Sequence, residues 1–312
     1  MQPKPPTPVI SWTEVRVLVP MGWQELVAAA LDTSECTSVV FGATSIGMEP
    51  PPDDMELVRT YITSQQDEVG TRNEIQARLS ALASECAAPE LEGLTASFRC
   101  LPPEEYASSW RKSWKPFRVG KLCVLPTWYE GKLRADDLRM TLEPGGSFGS
   151  GRHATTRTCL RVLGERVKGG ETVLDAGSGS GILAVAATLF GAGRALGFDI
   201  DPNSKMYGDD LARQNKVSDR VTFRTGDFSV LSDQDQDFDF VLANIYSDVI
   251  QSEVRNLMDR LALGGCFMFS GCPQHHRDNT RRAILNAGLV IEEERQRGRW
   301  ITFVGLNSQT QA

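Results

Sequence analysis

Residues 173–183, which read VLDAGSGSGIL, constrain the fold more than any other part of the sequence. Apolar residues lead to Asp175, three glycines follow at alternate positions, and a helical apolar pattern begins at Ile182. Glycine lets the backbone adopt dihedral angles that other residues avoid, and it lets a ligand approach the main chain closely. Because open α/β sheets bind ligands at the carboxyl ends of their strands, this segment predicts a strand, a ligand-binding loop and a helix.

The chain from residue 119 onward alternates between strand-like and helix-like patterns, which predicts a mostly parallel sheet covered on both faces. The predicted strands are 172–175, 194–200, 221–225, 238–243 and 266–270, and the predicted helices are 182–190, 203–215, 247–261 and 277–287. Two more strands are expected near Val290 and Ile301. The short polar turn between them, at 296–298, indicates an antiparallel hairpin at the sheet edge.

The first hundred residues have a different pattern, in which two helical segments are placed among four strands. The predicted strands are 13–19, 37–41, 55–62 and 94–101, and the predicted helices are 22–31 and 72–87. The order β-α-β-β-α-β is that of a ferredoxin-like α+β sandwich. Pro102 and Pro103 mark its end. We therefore predict a domain at 1–102, a helical connector at 103–118 and a larger α/β domain at 119–312.

The 312-residue chain has a formal net charge of −7, which disfavours free nucleic acid as a partner because clustered Lys and Arg supply most of that affinity. The acidity is uneven. Residues 1–100 hold six Lys and Arg against 14 Asp and Glu, a net charge of −8, whereas residues 101–134 hold seven against three. This distribution indicates either a solvated acidic surface or a docking face for a basic partner.

The sequence favours a cytoplasmic protein without a membrane span or a metal centre. The amino terminus lacks the apolar stretch of a signal peptide, and the near-apolar run 181–193 is shorter than the ~20 residues that a span needs. Seven scattered cysteines without a Cys-x-x-Cys pair fit reduced thiols better than disulfides or zinc. His275 and His276 have no companions at metal-ligand spacing and are expected at the surface.

The loop spacing is Gly-x-Gly-x-Gly, not the Gly-x-Gly-x-x-Gly of dinucleotide binders. Asp199 closes the next strand, 22 residues after Gly177, where a carboxylate can accept hydrogen bonds from both hydroxyls of a ribose. This combination resembles the class I S-adenosylmethionine-dependent methyltransferases, which have a Rossmann-like sheet. That resemblance implies cofactor contacts at Gly177 and Gly179. It also implies a contact of Asp227 with the adenine amino group, although Asp227 could equally cap a turn.

Asn244 follows the apolar segment 241–243 at the end of the fourth predicted strand. Amine and amide methyltransferases often carry an Asn or Asp there, whose oxygen accepts hydrogen bonds from the substrate nitrogen and aims its lone pair at the methyl group. We therefore expect Asn244 to be the catalytic residue. The plainer alternative is an Asn that terminates a strand.

A glycine-rich stretch at 144–151 precedes the pattern of another helix, which Thr155 or Thr156 is expected to cap. His153 could act as a general base, although a structural role is commoner for a lone histidine. We find no convincing dedicated base in the sequence.

Six segments together resemble the bacterial ribosomal protein L11 methyltransferase (PrmA) family. They are 109–117, 125–128, 148–156, 175–184, 197–202 and 243–245. The resemblance implies that the small first domain recognises a ribosomal protein and that the second methylates lysine side chains and an N-terminal amine. It places cofactor contacts at Thr156, Gly177, Asp199 and Asn244. A basic protein would then dock on the acidic first domain of a monomeric enzyme.

Three departures from the family pattern leave the acceptor open. Arg152 and Ala154 replace Thr and Pro in segment 148–156, and Tyr246 replaces Leu after Asn244-Ile245. A methyltransferase for another protein or a small-molecule amine is therefore an alternative. A non-catalytic module that binds the cofactor and docks on the ribosome is another. An NAD-dependent oxidoreductase would also use a glycine loop and a strand-end acid, but the loop spacing and Asn244 argue against it.

Overall fold

A computed structural model describes residues 12–21, 23–31, 40–41, 52, 54–63, 67, 69–86, 88–102, 116–142, 151 and 153–308. It divides into two compact units, Met1–Lys115 and Pro116–Ala312. Most of the predicted connector, at 103–115, lies outside the described residues, as do 143–150 and Arg152.

The first unit has four strands and two helices in the predicted order β-α-β-β-α-β. They are β1 (Trp12–Pro20), α1 (Gln24–Leu31), β2 (Val40–Phe41), β3 (Met55–Thr63), α2 (Val69–Glu85) and β4 (Ala96–Leu101). All strand pairs are antiparallel, and the sheet order is β2-β3-β1-β4, as in a ferredoxin-like sandwich. The alternating Val15, Val17 and Val19 bury one face against Ile75 and Leu79 of α2, which lie one helical turn apart.

The second unit begins with a three-stranded sheet that the sequence analysis missed. Its strands are β5 (Phe117–Val119), β6 (Leu122–Pro126) and β7 (Leu138–Leu142), with β5 antiparallel and β7 parallel to β6. These strands are short, and an irregular segment separates β6 from β7, so no alternation of strand and helix reveals them. An ion pair between Arg118 and Asp137 closes this segment and holds the pKa of the Asp137 carboxyl well below its usual range.

A seven-stranded sheet with helices forms the rest of this unit. Its strands are β8 (Thr172–Ala176), β9 (Arg194–Asp199), β10 (Val221–Thr225), β11 (Phe238–Asn244), β12 (Leu261–Pro273), β13 (Leu289–Arg297) and β14 (Trp300–Asn307). The helices are α3 (Ala154–Arg166), α4 (Ile182–Phe190), α5 (Ser204–Gln214), α6 (Ser247–Asp259) and α7 (Arg277–Asn286). The sheet order is β10-β9-β8-β11-β12-β14-β13, and only the pairs with β14 are antiparallel, so the predicted edge hairpin is confirmed.

The strand order identifies the ligand-binding edge of the sheet. From β8 the chain runs outward through β9 and β10 on one side and then returns to β11 and β12 on the other. Ligands of open α/β sheets bind where this reversal occurs, outside the carboxyl ends of the strands. Phe267, Phe269 and Phe303 fill the core beneath that edge, and all three are fully buried.

Most predicted element ends differ from the structure by one to three residues, whereas β12 is much longer than the predicted 266–270. It starts at Leu261, which pairs with Phe238 across a register shift. The Gly264-Gly265 pair interrupts the apolar pattern, so the sequence gives no sign of this first part of the strand. Among the residues that the structure describes, no helix is long and apolar enough to cross a membrane.

Candidate functional site

The glycine loop joins β8 to α4 at the predicted position. Gly177 and Gly181 have φ angles of 71° and 78°, a region that favours glycine. A Cβ atom on Gly177 would lie 2.1 Å from Cγ2 of Ile245, and one on Gly181 would lie 2.6 Å from the Phe223 ring. These two glycines are therefore required by packing as well as by backbone conformation.

Asp199 lies at the carboxyl end of β9 and holds the loop from the side. Its Oδ2 accepts a hydrogen bond from the Gly179 N–H at 2.7 Å, and its Oδ1 accepts one from the Asp201 N–H at 2.9 Å. Each carboxylate oxygen has a further lone pair with which to accept a ligand hydroxyl. The next residue, Ile200, is 77% exposed and offers an apolar surface beside this carboxylate.

Asp175, the acid two positions before Gly177, is fully buried beneath the loop, and the sequence analysis assigned it no role at the site. Its Oδ2 accepts a hydrogen bond from the Ala184 N–H at 3.1 Å, whereas its Oδ1 has no hydrogen-bond partner in the described part of the chain. Burial raises the pKa of this carboxyl to about 7, and the negative charge of Asp199 adds to the increase. The sequence signal for it is an acidic residue directly after the apolar pair Val173-Leu174.

The structure brings Asn244 and Thr156 together from 88 positions apart. Asn244 ends β11, while Thr156 lies in the first turn of α3 with 2% of its surface exposed. The Asn244 Nδ2 donates a long hydrogen bond of 3.4 Å to the Thr156 Oγ1. This bond turns the amide nitrogen toward the helix and leaves the amide oxygen as the acceptor for another group.

The expectation that Thr155 or Thr156 caps α3 was wrong, because the helix already begins at Ala154 and both threonines lie inside it. His153 is the cap, and its Nδ1 accepts a hydrogen bond from the Thr155 N–H at 3.3 Å. Its ring also packs edge-on against Trp300, with ring centroids 5.2 Å apart, and burial lowers the His153 pKa to about 4. The ring is therefore neutral near pH 7 with its acceptor nitrogen engaged at the helix end, which argues against a role as general base.

Asp227 has the turn-capping role that the sequence left open. It is exposed, and its Oδ1 accepts a hydrogen bond from the Ser229 N–H at 2.9 Å at the start of the 3₁₀-helix Phe228–Val230. This hydrogen bonding lowers the Asp227 pKa. The contact with adenine stays a prediction.

The three departures from the family pattern fall in different environments. Tyr246 is 79% exposed and occupies the N-cap position of α6, two residues after Asn244. Ala154 is the buried first residue of α3, and Arg152 lies outside the described residues.

The two predicted surface histidines differ in their surroundings. His275 is exposed and packs edge-to-face against His276, whose Nδ1 lies 2.7 Å from the Ser247 Oγ. Within the described ranges, no group of three or more His, Cys, Asp or Glu side chains could hold a metal ion.

Comparison with known proteins identifies the family of this chain. The family model for ribosomal protein L11 methyltransferase (PrmA) matches residues 11–308. The ribosomal protein L11 methyltransferases of Pelotomaculum thermopropionicum and Pelobacter propionicus are 33% and 32% identical; each alignment covers 94% of this chain and, respectively, 98% and 96% of the relative. A crystal structure of ribosomal protein L11 methylase from Lactobacillus delbrueckii subsp. bulgaricus is 29% identical with a TM-score of 0.55, over 61% of this chain and 97% of that one. The chain therefore belongs to the ribosomal protein L11 methyltransferase family.

Proposed function

We propose that this protein transfers methyl groups from S-adenosylmethionine to lysine side chains, to the N-terminal amine, or to both, of ribosomal protein L11. The observation that carries the proposal is the pairing of Asn244 with Thr156 beside the glycine loop, in a chain of this family. The amide oxygen of Asn244 is the acceptor that an amine N–H requires.

The glycine loop and its neighbours fit the cofactor. The backbone of Gly177 and Gly179 would lie along it, and the Asp199 carboxylate would accept hydrogen bonds from the ribose hydroxyls. The exposed Ile200 would pack on the adenine, and Asp227 lies after the next strand, where the adenine edge would be. Thr156 would hold the amide of Asn244 close to the cofactor. When bound, S-adenosylmethionine supplies an electrophilic methyl group on a sulfonium.

The chain itself must present a neutral amine in line with that methyl group. A lysine ammonium has an ordinary pKa of ~10.4 and no free lone pair, so desolvation in the site must favour its deprotonated form. A hydrogen bond from the amine N–H to the Asn244 amide oxygen would fix the direction of the lone pair. Such orientation can contribute ~7–11 kcal/mol to lowering a barrier without acid–base assistance.

The proposal is tested with Asn244→Ala, purified L11 and a labelled methyl donor. We expect kcat to fall roughly 10²-fold, because the amine loses its orientation. The dissociation constant for S-adenosylhomocysteine should change only a few-fold, since the glycine loop and Asp199 are unaltered. Asn256→Ala is the control, because Asn256 is exposed on α6 and its side chain donates a hydrogen bond to Glu253 on the same helix. Near wild-type turnover of Asn244→Ala would refute the role of this residue.

The partner and acceptor are tested by mass spectrometry of a lysate that lacks this activity, after incubation with the labelled cofactor. Label on L11 supports the proposal. Label on another protein or on a small amine supports the alternative that Tyr246 leaves open. Cofactor binding without label transfer supports the non-catalytic module. Docking of L11 on the acidic residues 1–100, a monomeric state, the absence of nucleic acid binding and a cytoplasmic location stay predictions.

A further inference from the structure

Helix α3 and strand β13 form a seam whose two ends differ in charge. At the end far from the site, the arginines are paired with acids. Arg166 forms ion pairs with Glu292 and Glu293, at 2.9 and 2.5 Å. Arg295 pairs with Glu165 and Glu293, both at 2.6 Å. The positive and negative charges here offset one another.

At the end near the site, the same seam carries three arginines, and no acid of the described residues is paired with them. They are Arg157 and Arg161 of α3 and Arg297 at the end of β13. Ion pairs between the helix and the strand join Arg166 to Glu292 and Glu293, and Glu165 to Arg295, so Arg297 lies beside the next turn of α3, which carries Arg161. Burial, together with the charges of Arg297 and Arg161, lowers the pKa of Arg157. None of the three forms an ion pair with a carboxylate of the described residues. Arg161 and Arg297 are exposed, and Glu165, the acid one turn beyond Arg161, is engaged by Arg295.

This arginine cluster, defined as Arg157, Arg161 and Arg297, lies at the same edge of the sheet as Asn244. Arg157 follows Thr156, which contacts Asn244. Arg297 pairs with Trp300, and Trp300 in turn pairs with Pro273 at the carboxyl end of β12. One member of the cluster is held in place, because the Arg157 guanidinium lies 5.4 Å from the centre of the Phe117 ring and its Nη2 donates to the Arg118 carbonyl at 3.4 Å.

Three guanidinium groups that repel one another are stabilised when an anion binds between them, and a guanidinium matches the two oxygens of a carboxylate. We propose that the arginine cluster binds a carboxylate of the acceptor protein and so selects which amine reaches Asn244. The inference rests on the proposed function, in which the acceptor is a protein whose anionic groups are Asp, Glu and its C-terminus. Amines with an acidic neighbour on the acceptor surface would be favoured.

The test compares the wild-type protein with the double variant Arg161→Gln/Arg297→Gln, in which both altered side chains are exposed. With purified L11, we expect KM to rise roughly 10- to 100-fold with kcat nearly unchanged, the range expected for losing hydrogen bonds to a charged group. The dissociation constant for S-adenosylhomocysteine should not change. The matched control is Arg194→Gln/Arg255→Gln, which removes two exposed arginines, one of them at the amino end of β9. An unchanged KM in the double variant would overturn the inference while leaving the proposed function in place.

A second measurement does not depend on L11. A fluorescent peptide of ten glutamates should bind the wild-type protein, and the double variant should bind it at least tenfold more weakly in an anisotropy titration. Equal binding to both proteins overturns the inference. Tighter binding of a ten-nucleotide single-stranded RNA than of the peptide also overturns it, because the cluster would then be a phosphate site. If the wild-type protein does not methylate L11, the proposed function fails, and the glutamate titration still decides whether the cluster binds carboxylates.

Discussion

The amide of Asn244 could rotate by half a turn at the end of β11, which would exchange its donor and acceptor ends. The hydrogen bond to Thr156 selects the orientation in which the oxygen is available to an amine. Thr156 is buried in α3, so its hydroxyl is held in position by the helix. The hydrogen bond between the two residues thus joins the first turn of α3 to the end of β11, and the two elements together form the acceptor site.

We therefore predict that Thr156→Val lowers kcat about tenfold, because an isosteric methyl group cannot accept the amide N–H and Asn244 loses its fixed orientation. The KM for the acceptor should change less than kcat. Thr156→Ser should restore most of the activity, since it restores the hydroxyl. If Thr156 has a purely structural role, Thr156→Val should lower the thermal midpoint, and Thr156→Ser should not recover the activity. Both variants are therefore compared by turnover and by thermal unfolding.

The buried Asp175 carboxyl makes stability depend on pH. Its pKa is about 7 in the native state and near 3.8 when unfolded, so the native state keeps the proton over a range in which the unfolded state releases it. Its contribution to the free energy of unfolding is therefore fully present below about pH 4 and is lost as the pH rises to about 7. The loss amounts to at most about 4 kcal/mol.

Residue 175 cannot titrate in Asp175→Asn, so we predict that the stability of this variant relative to wild type improves from pH 4 to about pH 7 and is then constant. Urea unfolding of both proteins at several pH values measures the difference, in which the other titrating groups cancel. A difference that is constant with pH would show that the carboxyl is ionised in the native state throughout.

The sequence predicted Gly177 and Asp199 as site residues because a short local pattern defines both. It could not reveal the orphaned oxygen of Asp175 or the cap at His153. The first depends on how the folded unit buries the carboxyl, and the second on where the helix begins after a glycine-rich stretch. The pairing of Thr156 with Asn244 depends on the packing of α3 against β11, which no local pattern encodes.

At the level of elements, α4, β9, α5 and β10 pack closely because three glycines face one aromatic ring. A Cβ atom on Gly181, Gly197 or Gly208 would lie 2.6 to 2.7 Å from the Phe223 ring. The ring is 2% exposed and fills the space between the two helices and the sheet. The start of α4, and with it the end of the glycine loop, is therefore set by this contact.

We predict that Phe223→Ala lowers the free energy of unfolding by about 3–5 kcal/mol, because it leaves a cavity that three glycines cannot fill. Cofactor affinity should fall as well, since the loop loses support at Gly181. Phe228→Ala is a control, because Phe228 is only partly buried against Phe198. Urea titrations of the three proteins provide the comparison. A loss no larger than that of the control would contradict a special role for Phe223.

Elements with strong periodicity were predicted well, and α4 and β10 have the predicted ends. The three-stranded sheet β5–β7 was not predicted, because its strands are short and find their partners only through tertiary contacts. The same holds for the first part of β12, where a glycine pair hides an extension that pairing with β11 stabilises.

At the scale of the whole molecule, the charge is concentrated in the first unit while the proposed chemistry lies in the second. Residues 1–100 have a net charge of −8, whereas the whole chain has a net charge of −7. The remaining residues are therefore slightly positive. The first unit has its own core of Val15, Val17, Ile75 and Leu79, and the second has its own around Phe267. This division of charge and core suggests that cofactor binding and acceptor recognition can be separated experimentally.

We predict that a fragment of residues 116–312 binds S-adenosylhomocysteine with an affinity within about threefold of that of the full chain. The glycine loop, Asp199, Thr156 and Asn244, with the hydrogen bonds given for them, all lie inside this unit. The same fragment should lose methylation of L11, because it lacks the acidic residues that would attract a basic protein. Calorimetry measures the first property and label transfer the second, with circular dichroism as the control for folding. A folded fragment that methylates L11 at the full rate would show that residues 1–115 do not recognise the acceptor. The acidic residues of the first unit would then form a solvated surface without a docking role.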